Sequence, residues 1–115
     1  METERMNVAK QLLLDALNFA RCSRDIAARD PEDEFQEDKA SALAYAAACT
    51  AKYSAAQAIY AICPEYTVSP SGLFSAFSTF VQEVFSDYAE DHSRQQVLIC
   101  YDELESCYKD MFSDS

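Results

Sequence analysis

The chain holds one glycine, three prolines, one histidine and no tryptophan in 115 residues. So little turn material argues against an all-β domain, which needs a turn every ~8–12 residues. It favours long helices with few connections. The single histidine, His92, excludes the paired Glu-x-x-His ligands of a carboxylate-bridged di-metal bundle. The five cysteines, Cys22, Cys49, Cys63, Cys100 and Cys107, form no Cys-x-x-Cys pair, the close ligand spacing that zinc favours. No glycine-rich phosphate loop is present, and no nucleophile-elbow or catalytic-cysteine signature accompanies His92. The expectation is a non-enzyme with no cofactor and no metal.

Long apolar runs are missing too. A membrane-spanning helix wants about 18 or more consecutive apolar residues. The nearest stretch, Ala40 to Cys63, is interrupted by Thr50, Lys52, Ser54 and Gln57. Met1-Glu2-Thr3-Glu4-Arg5 lacks a basic n-region, so no signal peptide is expected. An odd number of cysteines and no export signal point to a cytoplasmic protein with reduced, unliganded thiols.

Basic residues are scarce after residue 30. Residues 1–30 carry five basic and five acidic side chains, residues 31–115 four basic and fifteen acidic ones, for a net charge of −11. The acids fall into groups. Glu32, Asp33, Glu34, Glu37 and Asp38 form one. Glu83, Asp87, Glu90 and Asp91 form a second. Asp102, Glu103, Glu105 and Asp110 form a third, largely opposite the apolar stripe of the last helix. Such a surface repels nucleic acid and attracts basic partners. The basic cluster Arg21, Arg24 and Arg29 has acids nearby and no aromatic platform, so direct nucleic-acid binding is not expected.

What the chain does have is helix pattern. Half its residues are apolar, with seven Tyr and seven Phe; disorder would want fewer of both. One domain is expected from the length. Met6, Ala9, Leu13, Ala16, Leu17 and Ala20 recur at helical spacing, widened by Leu12, Phe19 and Ile26. This first helix runs over 3–28 and stops before Asp30-Pro31, where the proline pushes Asp30 out of the α region. The second helix starts at Pro31 or nearer Phe35 and continues to 62. Eleven of the 22 residues from Ala40 to Ala61 are alanine, the best helix former. Its apolar residues make two faces. One holds Ala42, Tyr45, Ala46, Cys49, Tyr53, Ala56 and Tyr60, the other Leu43, Ala47, Ala51, Ala55, Ala58 and Ile62. A helix apolar nearly all round belongs in the middle of a bundle or in a shared interface.

Pro64 to Gly72 is loop. A third helix follows over 72–90, with Leu73, Phe77, Phe80, Val81, Val84 and Tyr88 on one face. Ser93-Arg94-Gln95-Gln96 reads as a capping box, opening a fourth helix over 93–112 with the stripe Val97, Cys100, Tyr101, Leu104, Cys107, Tyr108 and Met111. Short connections between helices 1 and 2 and between 3 and 4 favour antiparallel neighbours. The fold expected is an all-α, four-helix antiparallel bundle with no sheet. Leu13, Leu17, Cys49, Phe77, Val81, Val84, Tyr101 and Leu104 should be buried in it.

Leu43-Ala44-Tyr45-Ala46-Ala47-Ala48 resembles the Ala/Tyr-rich central helix of HEPN-type bundles. The family's ribonuclease signature, an Arg four to six residues before a His, is absent ahead of His92. What the resemblance implies is a catalytically silent bundle.

The first functional expectation is a small acidic module that binds a basic, nucleic-acid-handling protein, as inhibitor or adaptor. Anti-CRISPR proteins, phage nuclease blockers and toxin-immunity proteins share this size and charge. The second is a structural protein that self-associates as a homodimer, with Tyr45, Tyr53 and Tyr60 as contact residues.

Overall fold

The structure, a computed structural model, describes residues 2–28, 35–62, 71–90 and 94–112, and their side chains except at 2, 3, 6, 35–39, 87–90 and 94. Those residues form four helices, α1 (Glu2–Ala28), α2 (Phe35–Ile62), α3 (Ser71–Glu90) and α4 (Arg94–Phe112), with no strand among them. The alternative start of α2 at Pro31, loop residues 64–70 and the Ser93 cap lie outside the described residues, while Ser71 and Gly72, expected in the loop, already belong to α3.

Each helix packs on its neighbours in the chain, and α1 closes the ring against α4; α2 and α4 face each other across the diagonal. Cross-helix contacts fix the direction. Ser23 meets Ala42, Phe19 meets Tyr45 and Asp15 meets Lys52, so α1 and α2 run antiparallel. Tyr53 meets Phe77 and Tyr60 meets Phe74, so α2 and α3 do as well. The bundle is elongated, 50 × 25 × 19 Å.

The core follows the stripes read from the sequence. All eight residues expected inside are buried, and Leu13, Cys49, Phe77 and Leu104 are fully so. Removing one such Leu or Phe side chain from water contributes about 1.5–3 kcal/mol. Among the described residues Ser23 is the buried polar side chain, and its hydroxyl donates to the Ala42 carbonyl at 3.0 Å. A satisfied polar group of this kind avoids the penalty of burying a bare hydroxyl.

Of the two places expected for α2, the middle of the bundle or a shared interface, the first is corrected. The helix does not run through the middle of the bundle. Its Tyr/Cys face is turned inward, while of the other face Ala47, Ala51, Ala55, Ala58 and Ile62 are exposed and only Leu43 is half-buried against the core. The physical reason is size. A tyrosine removes far more area from water than an alanine, so the fold gains most by burying the tyrosine face.

Candidate functional site

The up-and-down path brings two acidic groups to one end. Glu37 and Asp38 stand near the start of α2, Asp87 and Glu90 in the last turn of α3. Because these helices are antiparallel neighbours, both turns lie at the same end of the bundle. The C-terminal end of α1 and the N-terminal end of α4 lie at this end too. Residues 29–39 and 87–94 together hold nine acidic and three basic side chains. Glu32, Asp33, Glu34 and Asp91 are in that set and lie outside the described residues, as does His92. Glu83, a turn further in, is half-buried and close enough to α4 to help push the Cys100 thiol up, behind burial as the main cause.

The helix ends treat these acids differently. Carboxylates near a helix N-terminus gain from the dipole, so Glu37 and Asp38 are favourably placed. Asp87 and Glu90 are at a C-terminus, where the dipole opposes them, and α3 has no basic residue in its last turn.

The third acidic group is different. Asp102, Glu103 and Asp110 are exposed, but Glu105 is half-buried against α1. Arg21 Nε donates to the Tyr101 hydroxyl at 3.2 Å, and that hydroxyl donates to Glu105 Oε2 at 3.4 Å. Arg21 and Glu105 also approach within 3.8 Å, and Lys109 reaches the other Glu105 oxygen at 3.9 Å. The Arg24 guanidinium lies 5.2 Å from the centre of the Tyr101 ring, and Phe80 meets that ring edge-on. The Tyr101 bond, and behind it the Glu105 charge, hold the Arg21 guanidinium above its ordinary value. Burial pushes the Tyr101 phenol up, against the pull of Arg21. This is a clamp joining α1 to α4. Arg21 and Arg24 therefore act on α4; Arg29 lies outside the described residues.

The three tyrosines singled out for self-association are half-buried and have ring partners inside the chain. Tyr45 stacks on Phe19, Tyr53 on Phe77 with ring centres 5.2 Å apart, and Tyr60 meets Phe74 edge-on. Beside Tyr53, a groove of about 590 Å³ opens between α2 and α3, lined by Ser54, Gln57, Phe74, Ser75, Ser78, Thr79 and Gln82 among others. The sequence alone singled out none of the groove's α3 residues as a site. The signal that could have found the groove is the run from Ser71 to Gln82, which has hydroxyls and amides and no charge.

The four described cysteines are free thiols, with Cys49 and Cys100 buried and Cys22 and Cys107 half-buried; Cys63 lies outside the described residues. Burial pushes the Cys49 thiol up to about 12. Among the described residues, no three His, Cys, Asp or Glu side chains gather in a metal-holding group. Nor is any described helix long and apolar enough to cross a membrane.

Comparison with known proteins returns no matching family model, no matching curated protein and no matching solved structure.

Proposed function

We propose that the chain is a non-enzymatic protein-binding module, an inhibitor or adaptor whose acidic end engages a basic, nucleic-acid-handling protein. The observation that carries this reading is the meeting of two acidic helix ends, α2's first turns and α3's last, at one end of the bundle. Asp87 and Glu90 work against the dipole of their own helix there. Charge placed against local stability has another use, and a dense negative end on a rigid helical body suits a channel built for phosphates. Complementary charge of this kind raises the encounter rate and selects partners by sign.

The experiment begins with affinity capture of a partner from the native cell and its identification by mass spectrometry. Association kinetics are then measured for Glu37→Lys/Asp38→Lys and for Asp87→Lys/Glu90→Lys. Each double reversal should slow association about tenfold or more and flatten its dependence on salt. The control is Asp102→Lys/Asp110→Lys, which makes an equal change of charge on exposed α4 positions. Glu105 is left out of the control because it holds Arg21 and Tyr101. The partner's own nucleic acid should compete with the chain for it. An equal response to all three reversals would reduce the effect to net charge, and no response to any of them would sink the proposal.

A further inference from the structure

We draw no further inference here: the strongest candidate, the apolar patch that Val8, Ile59 and Ile62 form where the start of α1 meets the end of α2, carries nothing because nothing in the structure shows what covers it.

Discussion

At the scale of single residues, two buried groups govern what can be measured. Tyr101 is 1% exposed, yet its hydroxyl bridges Arg21 on α1 and Glu105 on its own helix. Tyr101→Phe keeps the ring under Arg24 and against Phe80 and removes only the bridge. A hydrogen bond to a charged group contributes about 1.5–3 kcal/mol, and the surviving Arg21–Glu105 pair limits the loss to the lower part of that range. Urea unfolding should show a lower midpoint with an unchanged slope; an unchanged midpoint would mean the bridge holds nothing. Cys49 is the second such group. Its thiol is fully buried and pushed up to about 12 from an ordinary 9.0. At pH 8 it holds about a thousandfold less thiolate than an ordinary thiol, so iodoacetamide should modify Cys49 only as the chain unfolds, well after Cys22 and Cys107. The sign for stability follows from the proton. The folded chain keeps it where the unfolded chain would lose it, so the contribution is whole below about pH 9 and is lost as pH rises toward about 12. Cys49→Ala should show a shallower fall in stability over that window than the parent chain, at the expense of a small cavity at every pH.

At the scale of helices, α3 offers a direct comparison of stability with purpose. Its last turn carries Asp87 and Glu90 and no basic residue, against the helix dipole. Asp87→Asn/Glu90→Gln should therefore stabilise the fold by about 0.3–1 kcal/mol per residue at low salt. The gain is read as a raised melting temperature, and partner association should slow in the same variant. A destabilised variant would mean that these acids hold some structural contact. Helices of this kind were legible in the chain because their marks are local. Asp30-Pro31 and the Pro64–Gly72 stretch punctuate them, and stripes such as Leu13–Leu17 and Phe77–Val81–Val84 give each its inward face. Two things were not legible. The two faces of α2 are both apolar, so period alone could not say which one packs; tyrosine size decided it. The partners of the arginines were also hidden. Arg21 finds Tyr101 eighty positions away, and no local pattern announces a contact made only once α1 and α4 are side by side. The acidic groups were legible as groups. That two of them share one end follows from the antiparallel bundle already expected of the sequence.

At the scale of the whole molecule, the question is whether a net charge of −11 serves folding or opposes it. The ion pairs that the structure shows join exposed or half-exposed side chains, such as Lys52 to Asp15 and Lys109 to Glu105. Pairs of that kind contribute at most about 1 kcal/mol each. Against them stands the mutual repulsion of acids gathered at one end, which acts on the compact state and weakens once the chain expands. Screening should tip the balance toward the fold. Raising the ionic strength from about 0.01 M to about 0.15 M shortens the Debye length from roughly 30 Å to 8 Å, below the 19 Å of the bundle's shortest extent. The melting temperature should rise, and a gain of about 1 kcal/mol would show as roughly 4 °C in a domain near this size. Asp87→Asn/Glu90→Gln should respond less to salt than the parent, because part of the repulsion is already gone. A melting temperature that falls with salt would mean that the ion pairs outweigh the repulsion, and the acidic end would then need no purpose beyond the fold.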